Sequence, residues 1–318
     1  MKSRPTVVIY HPIPDYVDRY GQFIRKARQE LLLFPCKTVD QIDRFISEAE
    51  ILFSGHTFPV ELLAKAKNLK WIQSMSAGVE NFLRSKMIPS GVSLTKIEGV
   101  FGPIMSEYVI GYILAITQNM KAAFWNQREK IWKPFLVDSI RRKTIGIMGL
   151  GSIGAHIAYQ LHLMGADIVG FDEQPRKLPY VRQEYSLTEI DEFLSGCDFV
   201  VVTLPLTEVT RGMFGEKELT MMKKSAFLIN ISRGPVVQEN ALLNALNSGV
   251  IAGAVLDVFD LEPLPGDHEF WQIENMIITP HVSGPSIPED ISEIFLENLK
   301  RFEQGKRLRG IVDLERGY

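Results

Sequence analysis

Cysteine is nearly absent from this chain of 318 residues: Cys36 and Cys197 are the only two. They stand in unrelated contexts and make neither a metal-ligand spacing nor a disulfide framework. A cysteine-stapled fold is excluded, a reducing compartment is expected and no metal site is expected. Charge of one sign is missing too. Lys and Arg number 35 against 38 Asp and Glu, for a formal net charge of −3, and no dense basic cluster appears. Nucleic acid and anionic membrane surfaces are therefore not expected partners. No apolar run is long enough to cross a bilayer. The most apolar helix candidate, Tyr108 to Met120, is cut by Gly111, Thr117, Gln118 and Asn119. The opening "MKSRPTVVIYHPIP" has four apolar residues before His-Pro, too few for a signal peptide. The cytoplasm is the expected location. Repeats, low-complexity tracts and flexible linkers are also lacking.

What is present is ordinary globular composition, 46% hydrophobic and 23% charged, in a chain long enough for about two domains. Short β-branched runs alternate with longer helical patterns. "TVVIY" (6–10), "ILFSG" (51–55) and "WIQSM" (71–75) read as strands. The stretch from Tyr16 to Leu33 reads as a helix, and so does "PVELLAKAK" (59–67), with Pro59 in its first turn. Residues 103–125 form one long helix pattern, apolar over most of its surface, that needs cover from its own domain and from another subunit. The alternation then restarts, with strands at 144–148, 167–171, 199–203, 226–231, 251–259 and 276–280. "SLTE" (186–189) and "SIPE" (286–289) look like capping boxes, and a last helix runs from about Ile287 to Glu303. This alternation predicts an α/β protein with two doubly wound parallel-sheet domains.

The most informative stretch is "KTIGIMGLGSIGAHIAYQLHLMGADIVGFD" (143–172). A strand runs into Gly149-Leu150-Gly151-Ser152-Ile153-Gly154, a helix follows, and a second strand ends at Asp172. Gly149 serves the tight turn, Gly151 lets backbone approach a pyrophosphate, and Gly154 lets helix pack on strand. The helix N-terminus offers free N–H groups to phosphate, and Asp172 stands where a carboxylate takes the ribose hydroxyls. A carboxylate there repels a 2′-phosphate, so NAD is the expected cofactor and NADP the less favoured one. Arg176 and Lys177 lie nearby but beyond Pro175, too far around the turn to cancel that effect fully.

Three further residues end buried strands. Arg233 closes "FLINISRG" at the carboxyl end of a central strand, where such sheets bind ligands. Glu262, between Leu261 and Pro263, is held rigidly. His281, in "TPHVSG", follows "NMIIT". An imidazole beside a carboxylate keeps its proton to higher pH and makes a general acid near neutrality. The remaining histidines, His11, His156, His162 and His268, read as structural, while His56 in "SGHTFP" is a candidate for the substrate cleft.

With its GxGxxG turn followed by Arg233, Glu262 and His281 on successive strand ends, the whole chain resembles the D-2-hydroxyacid dehydrogenases. "TLPLTEVTRGMF" (203–214), "NISRGPVV", "LDVFDLEPLP" and "TPHVSG" read as family segments, and the ending "VDLERGY" resembles the glyoxylate/hydroxypyruvate reductase branch. The resemblance implies a Rossmann cofactor domain, about 100–281, inserted into a flavodoxin-like substrate domain, about 1–99 and 282–318. It implies a homodimer through the cofactor domain and reduction of a small 2-keto acid. In that chemistry Arg233 orients the keto acid, His281 gives the proton and Glu262 orients the imidazole.

The same resemblance assigns the substrate carboxylate to amides around Ala77, Gly78 and Val79, and the pocket shape to Met75, Phe101 and Trp132, the last contributed by a partner subunit. It adds Ser152, Ile153, Leu204, Pro205 and Thr210 to the cofactor site. Ile231, Arg233, His281 and Gly284 join them, and Asp257 is assigned to the nicotinamide carboxamide. Formate dehydrogenases share the scaffold but carry glutamine where Glu262 stands, which counts against that reading. A short phosphoglycerate dehydrogenase and a dinucleotide-sensing corepressor-like protein remain as alternatives.

Overall fold

"TVVIY" forms β1 (Thr6–Tyr10), fully buried apart from its first residue, as a β-branched run covered on both faces of a parallel sheet should be. The computed structural model describes residues 4–55, 57–174 and 176–314. They fall into two units, Met1–Val100 with Pro285–Tyr318, and Phe101–Gly284.

In the first unit α1 (Pro14–Ala27), β2 (Leu32–Cys36), α2 (Val39–Phe45), β3 (Ile51–Ser54), β4 (Trp71–Ser74), α3 (Glu80–Ser85) and β5 (Ser93–Thr95) follow β1 in order. The sheet is parallel, in the order β2-β1-β3-β4-β5. The helix expected over 16–33 therefore stops early, at Ala27, and its last two residues, Leu32 and Leu33, open β2 instead. Pro35 is tolerated because β2 is an edge strand, where a missing N–H costs no ladder bond. Residues Val60–Lys65 wind as a 3₁₀ helix rather than the expected α-helix. "SIPE" makes no capping box: the C-terminal helix, Pro288–Glu303, begins on Pro288 without a side-chain cap. Ser286 Oγ donates instead to Met75 O at 3.2 Å, and Glu289 accepts from Arg19 at 2.7 Å.

The second unit starts with α4 (Phe101–Thr117) and α5 (Met120–Arg128). The single helix expected over 103–125 breaks because Asn119 takes the left-handed conformation, φ 51°, which asparagine adopts at helix ends more readily than most residues. Then come β6 (Thr144–Met148), α6 (Ser152–Leu163), β7 (Asp167–Phe171), β8 (Gln183–Tyr185), α7 (Ile190–Gly196), β9 (Phe199–Val202), α8 (Glu216–Met221), β10 (Phe227–Asn230), α9 (Glu239–Asn247), β11 (Gly253–Leu256) and β12 (Met276–Ile278). The parallel order β12-β11-β10-β9-β6-β7-β8 is doubly wound, with the direction of winding reversing between β6 and β9. "SLTE" does form a capping box, on a short 3₁₀ turn before α7.

The core of this unit gathers Phe193, Phe214, Leu228, Leu242 and Phe270, all buried, each contributing about 1.5–3 kcal/mol by its removal from water. Helix α7 sits close on β6: a Cβ on Gly146 would meet Phe193 Cζ at 2.6 Å and run into Cys197 Sγ. Cys197 is thereby a core residue, its thiol pushed up to about 12 by burial, and no nucleophile. Helices α4 and α6 also cross closely, with a Cβ on Gly102 placed 2.9 Å from His156. Among the described residues no helix is long and apolar enough to cross a membrane, and no His, Cys, Asp and Glu side chains group to hold a metal.

Candidate active site

The glycine turn lies where the winding reverses, the crevice in which doubly wound sheets bind ligands. Gly149 has φ +94°, a conformation that a side chain would strain. Thr203, just past β9, donates its hydroxyl to Gly149 O at 2.7 Å and to Met148 O at 2.9 Å, tying the two strands at the reversal. A Cβ on Gly154 would strike Gly149 O and come 2.7 Å from Thr203 Oγ1, so this glycine lets α6 pack on the turn. Gly151 is different. Its φ is −64° and a Cβ there would meet nothing within 4 Å. Neither conformation nor packing requires glycine at 151, and what remains is close approach by a ligand. Gly151 is also the N-cap of α6 and supplies no side-chain cap, so the first-turn amides at Ser152, Ile153 and Gly154 have no helical partner. Bare amides, a helix dipole and an open cradle fit a pyrophosphate.

Asp172 follows β7. Its Oδ2 accepts the Leu150 N–H at 2.7 Å and its Oδ1 the Gln174 N–H at 3.3 Å, so the carboxylate also braces the glycine turn. Arg176 lies close by, its Nε 3.9 Å from Asp172 Oδ2. Glu184 turns the chain back by accepting the amides of Arg176 at 2.5 Å and Leu178 at 2.9 Å.

The three strand-end residues lie on consecutive segments of the same sheet edge. Arg233, half-buried past β10, donates to Ser232 O at 2.6 Å. Gly234 beside it permits tight contact, since any Cβ would collide with the Phe259 backbone. Glu262 bridges two partners, with Oε1 accepting Phe259 N–H at 2.9 Å and Oε2 lying 2.6 Å from His281 Nδ1. A carboxylate only accepts, so Nδ1 carries the proton in that bond and Nε2 is left for a reacting group. The bond to Glu262 raises the His281 pKa above its ordinary value, against burial and Arg233, which lower it. Burial pushes Glu262 up, but the bonds from His281 and the Phe259 amide, with the nearby positive charges, leave it below the usual carboxylate range. His281 itself sits at φ 53°, unusual for a residue with a side chain and of a kind that clusters at functional sites.

Of the other expected residues, Thr210 spends its hydroxyl on Pro205 O at 2.6 Å, folding the loop that also carries Leu204. Ile231 is buried. Gly284 lies against Phe101 and Met105, with the Met105 sulfur 3.2 Å from where a Cβ would stand. Asp257 is fully buried and already accepts three donors of the segment bearing His281. Met75 and Phe101, expected to shape a pocket, are 1% and 6% exposed and belong to the cores of different units. Trp132 is 98% exposed. Ala77, Gly78 and Val79 follow β4 in the first unit, where Ser76 Oγ donates to Gly78 O at 2.8 Å. His56 lies outside the described residues. Two residues that carried no sequence signal join the His281 segment: Thr279, and Tyr108 of α4, whose hydroxyls are 2.6 Å apart.

The chain matches the family model described as D-isomer specific 2-hydroxyacid dehydrogenase, NAD binding domain, over residues 110–283. It is 30% identical to glyoxylate/hydroxypyruvate reductase A of Photorhabdus laumondii, covering 98% of this chain and 99% of that protein. Among solved structures, a D-isomer specific 2-hydroxyacid dehydrogenase from Xanthobacter autotrophicus in complex with NADPH and MES superposes with TM-score 0.90 at 30% identity, covering 99% of this chain and all of that one. The NADPH-dependent glyoxylate/hydroxypyruvate reductase from Sinorhizobium meliloti, in complex with NADP and sulfate, does so with TM-score 0.90 at 28% identity, again over 99% and 100%. With a doubly wound sheet, a dinucleotide cradle and this edge of strand-end residues, the chain belongs to the D-isomer specific 2-hydroxyacid dehydrogenase family and is an NAD(P)-dependent oxidoreductase.

Proposed function

We propose that the protein reduces a small 2-keto acid, of the glyoxylate or hydroxypyruvate class or a bulkier one such as phenylpyruvate, to the D-2-hydroxy acid. The observation that carries this reading is the 2.6 Å bond between His281 Nδ1 and Glu262 Oε2. It holds the proton on the imidazole to higher pH than usual and leaves Nε2–H as a proton donor. The names of the relatives support the substrate class. The nicotinamide, when bound, supplies the hydride for the carbonyl carbon. Arg233 holds the carboxylate and keto oxygen with its planar fork and stabilises the charge that develops on that oxygen. His281 then delivers its proton to the oxygen, while Glu262 holds the ring in place. The amides of Ala77, Gly78 and Val79 are assigned to the substrate carboxylate.

The working form in this reading is a homodimer. Phe124, Trp125, Trp132 and Leu136 are 68%, 59%, 98% and 94% exposed along α5 and the segment after it, an apolar face of the kind a second copy covers. Sedimentation of the wild type as a dimer, and of a Trp132→Ser, Leu136→Ser variant as a monomer, supports that assignment. A wild-type monomer removes it. A panel of keto acids with NADH and NADPH tests the reaction. Turnover that rises from glyoxylate to one favoured keto acid supports it, whereas tight NADH binding without turnover of any keto acid points to a dinucleotide-sensing protein instead.

A further inference from the structure

His281 holds a left-handed backbone conformation, φ 53°, that is strained for a residue with a side chain, so its surroundings must impose it. Its neighbours wrap around one residue. Asp257 lies just past β11 and is fully buried. Its Oδ1 accepts the Thr279 hydroxyl at 2.5 Å and the Val282 amide at 2.9 Å, and its Oδ2 accepts the Ser283 amide at 2.8 Å. Its main-chain carbonyl takes the His281 amide at 2.9 Å. Each residue from 279 to 283, other than Pro280, is thus tied to Asp257.

The proton directions can be assigned. An amide on each oxygen makes the Asp257 carboxylate an acceptor, so the Thr279 proton points at it. The bond of 2.6 Å between Thr279 and Tyr108 then needs the phenol as donor. Burial raises the Tyr108 pKa far above the ordinary tyrosine value, which keeps that proton in place. The result is a one-way chain from α4 to β11: Tyr108 to Thr279 to Asp257. Its middle member, Thr279, stands two residues before His281.

We infer that Tyr108 and Thr279 are positioning residues for His281. Tyr108 orders the Thr279 hydroxyl, Thr279 closes the turn on Asp257, and the turn presents Nδ1 of His281 to Glu262. The inference rests on the reading of His281 as proton donor. A misplacement of about 1 Å at such a group costs up to about a hundredfold in rate, so a bond that fixes the turn has leverage on kcat out of proportion to its own strength. The charged and titratable groups facing the imidazole and this chain are Glu262, Asp257, Arg233, Tyr108 and Tyr112.

The test uses the full-length protein with ring-labelled histidine. Nuclear magnetic resonance reads the His281 Nδ1–H signal without cofactor, and kcat, KM and the NADH dissociation constant are measured alongside. In Thr279→Val the His281 signal moves or broadens and kcat falls about tenfold or more, while NADH affinity stays within about twofold. Tyr108→Phe gives a smaller loss of the same kind, Thr279→Ser restores most of it, and adding Tyr108→Phe to Thr279→Val changes little further, because the chain is already cut. A wild-type His281 signal and kcat in both single variants overturns the inference, and so does a loss that serine does not restore. A lowered melting temperature with unchanged kcat also overturns it, because a merely structural role predicts that outcome. If Thr279→Val does not fold, Tyr108→Phe, which removes a single oxygen, carries the test. His281→Ala separates the two claims. Wild-type kcat in that variant sinks the proton-donor reading, while the His281 signal in Thr279→Val still decides whether the turn is held as described.

Discussion

Two glycines of the same turn should fail in opposite ways when changed to alanine. In Gly154→Ala the new methyl runs into Gly149 O and lies 2.7 Å from Thr203 Oγ1, so α6 must move off the turn and the bond from Thr203 to Gly149 is strained. Overpacking of this kind costs about 1–3 kcal/mol and a weakened hydrogen bond about 1 more. A total near 3 kcal/mol corresponds to a melting temperature roughly 6–12 °C lower in a domain of this size. In Gly151→Ala the methyl meets nothing within 4 Å, and φ −64° suits alanine. The poorer N-cap costs about 0.5 kcal/mol, and the reduced freedom of the unfolded chain returns about 0.4–1. Its melting temperature should stay within about 2 °C of the wild type. Binding should instead suffer, since the methyl fills the space a pyrophosphate needs. Loss of a single close backbone contact, about 1.4–3 kcal/mol, weakens NADH binding by tenfold to more than a hundredfold. Thermal unfolding by circular dichroism and NADH titration by fluorescence read the two effects separately. Wild-type NADH affinity in Gly151→Ala, or an unchanged melting temperature in Gly154→Ala, refutes the reasoning for that position.

Glu262→Gln removes the charge that stabilises the imidazolium. The wild-type His281 pKa is raised and reduction needs the protonated ring, so rate is present below that pKa and lost above it. The variant lowers the pKa, and the alkaline limb of kcat/KM for reduction should move to lower pH; an unmoved limb breaks the pairing. Arg233→Lys keeps the charge but loses the planar fork. KM for the keto acid should rise and kcat fall together, and wild-type kinetics would assign Arg233 to structure alone. The wild type should favour NADH over NADPH by about tenfold, or 1.4 kcal/mol. Asp172→Ser narrows that ratio, whereas Arg176→Ala, which removes the cation 3.9 Å from Asp172, widens it. Equal use of the two cofactors by the wild type removes Asp172 as discriminator.

The features legible in the sequence were those set by local chemistry. Gly149 had to turn and Gly154 had to let a helix close, and both needs are met within a few residues of the chain. What stayed hidden depends on distant partners. Leu32 and Leu33 looked helical because nothing near them reveals that they pair with β1 as the edge strand of the sheet. Ser286 looked like a cap because its acceptor, Met75 O, lies 211 residues away. Arg176 read as too far around the turn to offset Asp172 fully because its neighbours give no sign that Glu184 folds the chain back beneath it. Tyr108 reads as one more aromatic residue on an apolar helix, and its bond to Thr279 spans 171 residues. Asn119, by contrast, was visible, and the pattern on either side of it was given too much weight.

The central claim is that His281, held by Glu262, donates the proton. His281→Ala tests it most directly, with keto-acid reduction measured at saturating NADH and NADH affinity measured beside it. General acid catalysis contributes about 10²–10⁴ in rate, so kcat should fall by two to four orders of magnitude while the NADH dissociation constant hardly changes. A near-normal kcat in that variant contradicts the account.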